Sequence, residues 1–193
     1  MAVATIAAPL AKNESPIPGY EVIDMQWKIQ AFPGGNYTHT TGTIQQVVAQ
    51  LNKINPEFEQ NVLAAVANWT RDSESAHKVV NEKNWEYESH YCFGPFPPAF
   101  SRRVYEGIAY LESVKGQPVI GPGPGQCSRV SCGYHAAIWW CNDNEVELRL
   151  DEFNDIARGA YGLYRHCRDD TDRCSGQLFF QEKWNVIVRE NDC

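Results

Sequence analysis

The sequence predicts an α+β fold: an α/β sandwich built on a split-βαβ core, in the order β-α-β-β-α-β. Its sheet is expected to be antiparallel, with two helices on one face. Three observations point there. Alternating or unbroken apolar runs beyond residue 85 mark strands, two apolar stripes at helical spacing fall between them, and all seven cysteines lie between Cys92 and Cys193. The 193 residues make one domain with an extension. Residues 85–193 form the disulfide-stapled sandwich, and residues 20–84 a cysteine-free strand-helix extension packed on it. Residues 1–19 are expected as a flexible N-terminus or a leader remnant.

Along the extension, Ile23, Met25, Trp27, Ile29 and Ala31 alternate with polar residues, which predicts a strand with one buried face. It joins the edge of the main sheet or covers its open face. Pro33-Gly34-Gly35 ends it. Thr43 with Gln46 three positions on is a capping box. Ile44, Val47, Val48, Leu51 and Ile54 then recur at helical spacing until Asn55-Pro56. Phe58, Val62, Ala65 and Trp69 predict a second helix, and residues 70–84 a connecting segment.

In the cysteine-containing half, Trp85 to Cys92 reads as a strand with Trp85, Tyr87, Ser89 and Tyr91 on one side and Glu86, Glu88 and His90 on the other. Phe100, Val104, Ile108, Leu111 and Val114 form the stripe of a helix ending at Gly116. The Gly121–Gly125 loop leads into strands at Cys127–Cys132 and Ala136–Cys141, the second apolar enough for burial on both faces. Phe153, Ile156, Ala157, Ala160 and Leu163 give a second amphipathic helix. Gly176 to Arg189 supplies one long bulged strand, or a hairpin turning at Glu182-Lys183.

Cysteine usage bounds the compartment. Cys92, Cys127, Cys132, Cys141, Cys167, Cys174 and Cys193 are disulfide candidates, and disulfides persist in oxidising surroundings. Sequons at Asn13, Asn36 and Asn68 agree with a secretory route. The count is odd, so one thiol is left over, and spacing does not choose among the pairings. Cys193 is read as an intrachain staple for the tail. The odd cysteine offers a disulfide-linked dimer. Net charge is −7, which opposes a nucleic-acid partner and docking on anionic membranes. No stretch reaches the length of an integral membrane segment.

Chemistry-bearing groups are sparse. Glu86, Glu88 and His90 share a strand face and, with Arg102, could supply the base, acid and phosphate clamp of a small ribonuclease; the same pattern suits a solvated sheet face. His135 and His166 have no companions at metal-ligand spacing. Asp169-Asp170-Thr171-Asp172 lacks the glycine and terminal glutamate of a calcium loop. The prolines of Gly121–Gly125 remove donors a phosphate cradle needs. No metal or other cofactor is expected. Trp139 and Trp140 are adjacent on a strand, so they point to opposite faces. Both are core if the second face is covered; one is displayed for binding, for instance to a sugar, if it is open.

Cys127-Ser128-Arg129-Val130-Ser131-Cys132, Ala137-Ile138-Trp139-Trp140-Cys141-Asn142-Asp143, Gly176-Gln177-Leu178-Phe179 and Trp184-Asn185-Val186-Ile187-Val188 before Cys193 resemble small secreted cysteine-rich proteins of filamentous fungi. Their wider group includes killer-toxin-like and necrosis-inducing effectors with an α/β sandwich. The resemblance spans about residues 85–193. It implies a secreted, extracellular, effector- or elicitor-like protein that binds an extracellular or host protein or glycan without catalysis. The alternatives are a killer-toxin-like protein that perturbs membranes or channels, and a small secreted hydrolase such as a ribonuclease. A possible binding surface under the first reading comprises Glu88, His90, Trp139 and Trp140.

Overall fold

A computed structural model of the chain describes residues 14–72 and 87–193. Trp85 and Glu86 of the predicted strand, and Asn13, lie outside those residues. The fold is mixed α+β, as the sequence predicts, but its sheet is larger than a split-βαβ core. Six strands run in the order β1 (Glu21–Val22), β7 (Gln126–Gly133), β8 (Ala136–Asn142), β12 (Trp184–Glu190), β11 (Gly176–Phe180) and β4 (Tyr87–Cys92). All neighbours are antiparallel except β1 and β7.

The difference arises at the C-terminal segment. It forms the hairpin β11–β12, turning at Gln181–Lys183, and the hairpin fills the middle of the sheet. Helix α4 (Phe153–His166) therefore carries the chain from β8 past β12 to β11, and α3 (Ser101–Glu112) carries it from the β4 edge across to β7. Crossovers to adjacent strands, as the sequence reading expected, do not occur.

Both predicted helices do lie on one face. Their stripes, Val104, Ile108 and Leu111 on α3 and Phe153, Ile156, Ala157, Ala160 and Leu163 on α4, are buried against Val130, Ile138, Trp140, Leu178, Val186 and Val188. Close approach is set by glycine: a Cβ at Gly159 would stand 2.7 Å from Val186 Cγ2, well inside contact distance.

The opposite face carries a smaller core of Trp139, Ala137, Ile187, Phe96 and the Cys127–Cys141 bridge, covered by Ile17, Tyr20 and Val22. β1 joins the sheet edge and the residues before it cover the open face, whereas the strand predicted over Ile23 to Ala31 does neither. Trp139 and Trp140 point to opposite faces and are both fully buried. Neither is a surface residue, so neither belongs to an exposed binding surface.

After β1 the chain leaves this sheet. Residues Met25, Trp27, Ile29 and Ala31 keep the predicted period of two and are all buried, but β2 (Gln26–Gln30) belongs to a second sheet. Its order is β3 (Tyr37–Thr41), β2, β6 (Gly116–Ile120) and β9 (Leu148–Arg149). Extension and cysteine-rich half therefore share a sheet. Trp27 fixes the junction: its ring stacks on Phe153 at 4.4 Å and its Nε1 donates to the Gly42 carbonyl at 2.7 Å.

The capping box opens α1 (Ile44–Asn52), with Thr43 Oγ1 accepting from the Gln46 amide and Gln46 Oε1 accepting from the Thr43 amide. Helix α2 (Phe58–Asp72) follows. A two-stranded sheet of β5 (Ala99–Phe100) and β10 (Arg173–Cys174) closes the α3 entrance.

Three disulfides pin the margins. Cys92–Cys167 joins the end of β4 to the end of α4, Cys127–Cys141 crosslinks β7 to β8, and Cys132–Cys193 ties the tail to β7. The leftover thiol, Cys174, is fully buried. An intermolecular bridge through it would require the core to open. Among the described residues no helix is long and apolar enough to cross a membrane.

Candidate functional site

Where the chain passes from one sheet to the other, it opens a cleft of about 620 Å³. One wall is the β1–β2 passage. Ile23 donates its amide to the Cys127 carbonyl and Met25 donates to Ser128 Oγ, which places Asp24 between them on the rim. The other wall is the first two turns of α1 with the end of β3. Thr41, Thr43, Gln46 and Gln50 line it, and Lys53 stands at its far end.

The floor is Arg129. It lies where β7 shifts register against β8, between Arg129 and Ser131, so the strand turns this side chain toward the sheet margin. Arg129 Nη1 donates to the Asp192 carbonyl at 2.6 Å, and the guanidinium sits 5.8 Å from the Trp139 ring. Its Nε is buried without a hydrogen-bond partner. Desolvation pulls the Arg129 pKa down and the nearby Asp24 carboxylate pushes it back up. The group stays cationic, because an arginine lowered by burial still titrates far above neutral pH.

Most side chains lining the cleft are polar, Ala49 being the exception. Gln46 Oε1 is held by the capping box, and Gln50 Nε2 donates to the Thr41 carbonyl. Two cations face one carboxylate, with hydroxyls and carboxamides between them. Such a lining suits a compact polar ligand carrying a negative group. An anionic oxygen pair would satisfy the guanidinium edge with charge-assisted hydrogen bonds.

The residues singled out from sequence are scattered. Glu88 and His90 are exposed on the edge strand β4, away from this cleft, and the His90 ring stacks on His166 at 5.0 Å. Arg102, the expected phosphate clamp, is instead paired with Glu106 at 3.5 Å on its own helix. His135 Nδ1 lies 3.4 Å from Asp192 Oδ1. The acidic run is used for turn geometry: Asp169 Oδ1 accepts from Thr171 and Arg173, which holds its carboxyl below the usual range, and Asp172 pairs with Arg168 at 2.8 Å. Among the described residues no group of three His, Cys, Asp or Glu side chains is placed to share a metal ion. Asn36, in the β2–β3 turn, and Asn68, on α2, are exposed.

The Cys-Asn-Asp stretch after β8 turns out to be a structural knot. Asn142 Nδ2 donates to the Gly121 and Val146 carbonyls, and its Oδ1 accepts from the Asn144 amide. Asp143 Oδ2 accepts from Asn185 at 2.7 Å, and Asn185 Oδ1 accepts from Gln177 at 3.1 Å. The Tyr20 hydroxyl completes this chain; burial first, and then the Asp143 carboxylate, push its pKa up to about 12. These bonds pin the covering segment to the second face.

Nothing in the predicted strand Cys127–Cys132 marks Arg129 as a site residue, because its partners come from three distant segments. Compared with protein-family models, curated proteins and solved structures, the chain matches none of them.

Proposed function

We propose that the chain is a secreted, disulfide-tied, effector-like protein that acts by binding, and that the Arg129 cleft holds the carboxylate of an acidic glycan from outside the producing cell. The three disulfides support an oxidising destination. The resemblance of residues 85–193 to secreted fungal effectors supports the host-directed part. One observation carries the ligand: a half-buried guanidinium with an unpartnered Nε at the base of a cleft lined by hydroxyls and carboxamides. Buried charge is stable only when paired, and a sugar acid brings both the paired anion and the hydroxyls that the remaining lining would bind.

The test is calorimetric titration of the oxidised protein with an oligogalacturonate, alongside a neutral oligosaccharide of equal length. Binding of the acidic chain alone, reduced at least tenfold in Arg129→Gln, is the expected result. Absence of binding by wild type overturns the ligand. Electrolyte leakage from leaf tissue infiltrated with oxidised protein, against a reduced and alkylated control, tests the elicitor role separately.

A further inference from the structure

At one disulfide each cysteine brings a histidine with it. Cys92 follows His90 by two residues on β4, and Cys167 directly follows His166, the last residue of α4. Neither of the other two bridges has a histidine within two residues of either cysteine. Alternate strand residues point the same way, and the register of β4 against β11 is regular from Ser89 to Cys92. His90 and Cys92 therefore share a face. They stand opposite Leu178 and Gly176, and Leu178 is buried in the core beneath the helices, so that face looks toward α4.

The fold closes both pairs at once. The His90 and His166 rings stand 5.0 Å apart, centre to centre, and the bridged Cys92 and Cys167 have Cα atoms 5.0 Å apart. Cys92 Sγ lies 3.6 Å from the His166 carbonyl, so the sulfur pair and the histidine pair are contiguous. Two imidazoles bound through nitrogen to one tetrahedral zinc, at about 2.0–2.1 Å, have ring centres about 5 Å apart. Both histidines are exposed, Cys92 is half-buried and Cys167 is buried. While the bridge is closed only the two imidazoles are available as ligands, in keeping with the absence of a three-ligand group among the described residues.

We infer that reduction of the Cys92–Cys167 bridge creates a zinc site, in which Cys92, Cys167, His90 and His166 hold the ion in a tetrahedron of two sulfurs and two nitrogens. Opening the bridge takes two electrons and two protons from a dithiol, which leaves as its own disulfide. Zinc then displaces the proton of each thiol, and the two thiolates neutralise the dication. Each ring aims a nitrogen by turning about χ2, a soft torsion. A sulfur–nitrogen set of this kind selects zinc over magnesium or calcium. The ion restores between β4 and α4 the tie that reduction removes, and so keeps the edge strand fastened in reducing surroundings. The site is separate from the Arg129 cleft and does not rest on the ligand proposed there.

Titration of the full chain with cobalt(II) tests it, because tetrahedral thiolate-bound cobalt absorbs in the visible and zinc displaces it. A water-soluble phosphine opens the accessible bridges without competing for metal, taking up oxygen from water as it is oxidised. Peptide mass analysis identifies the freed thiols, and circular dichroism follows the fold. The reduced chain should bind one cobalt that zinc displaces, and the oxidised chain should show no such band. His90→Ala and His166→Ala, both at exposed positions, should each weaken binding more than about tenfold, since even an outer-shell change costs that much. Cys132→Ser, which removes the other accessible bridge, should leave binding unchanged. Zinc should also protect Cys92 and Cys167 from alkylation and raise the melting temperature of the reduced protein. Where reduction unfolds the chain, zinc should refold it. A reduced chain that zinc neither binds nor refolds overturns the proposal. So does cobalt binding that survives loss of both histidines, or that Cys132→Ser abolishes.

Discussion

Arg129 Nη1 lies 2.6 Å from the carbonyl oxygen of Asp192, the residue preceding the bridged Cys193. The Cys132–Cys193 disulfide therefore does more than secure the tail. It holds in place the acceptor that orients the cation at the base of the cleft. Cys193→Ala should lower unfolding free energy by about 2–4 kcal/mol, from lost closure of a long loop. It should also loosen Arg129 and weaken oligogalacturonate binding several-fold, whereas Arg129→Gln weakens binding with little loss of stability. Denaturant titration and calorimetry on both variants separate the two effects.

The disulfides should differ in opposite directions in stability and in reactivity. Cys92–Cys167 spans 75 residues and Cys127–Cys141 only 14. Chain-entropy closure alone gives about 4.5 kcal/mol for the first and about 3 kcal/mol for the second. Yet Cys127 and Cys141 are both fully buried, while Cys92 is half-buried and Cys193 exposed. Under mild reductant, timed alkylation and peptide mass analysis should find Cys132–Cys193 and Cys92–Cys167 open first and Cys127–Cys141 last. The bridge slowest to open is thus the one whose loss costs least in closure entropy.

Cys174 should be inert. Its thiol is pushed up to about 12, chiefly by burial and then by the Asp169 carboxylate, and its Sγ lies 3.5 Å from the Leu163 carbonyl. At pH 8 almost no thiolate exists to attack a reagent. Iodoacetamide should leave the native oxidised protein unlabelled and add one group per chain in denaturant. Labelling of the folded protein would contradict its buried position.

Where local chemistry decides structure, the sequence was readable. Thr43 and Gln46 named the start of α1, the alternation from Met25 to Ala31 named a buried face, and adjacency alone placed Trp139 and Trp140 on opposite faces. Of the two readings left open for Gly176 to Arg189, the hairpin turning at Glu182-Lys183 is the one that forms. What stayed hidden is decided by pairing at a distance. β3 is Tyr-Thr-His-Thr-Thr, with no apolar face to signal a strand, and it forms because β2 offers an edge. β6 contains Pro118 and is drawn into the second sheet between β2 and β9. The hairpin's central position in the main sheet has no local signature. The cleft is less legible still, since Asp24, Gln46 and Arg129 become neighbours only when both sheets are in place.

Glu112 should make stability depend on pH. It ends α3 beside the first turn of α4, where Asn154, with its amide nitrogen turned inward, donates to Oε2 at 2.8 Å. Burial pushes its pKa up to about 7; Arg158 pulls it down and Glu152 raises it again. In the unfolded chain the ordinary value is 4.5. Between those two values the folded state binds a proton that the unfolded state has released, so folding weakens as pH rises. The contribution is fully present below pH 4.5 and lost as pH climbs through about 7. Its size is on the order of 3 kcal/mol, from the constant relating a pKa difference to free energy. Glu112→Gln keeps a neutral acceptor for Asn154 and removes the titration. Urea unfolding at pH 5 and pH 8 should therefore show a fall in stability for wild type that is largely absent in the variant. Equal falls in the two proteins would mean that Glu112 is already ionised in the folded state and that the Arg158 guanidinium, lying 3.2 Å from Asp155, attracts it more strongly than burial repels it.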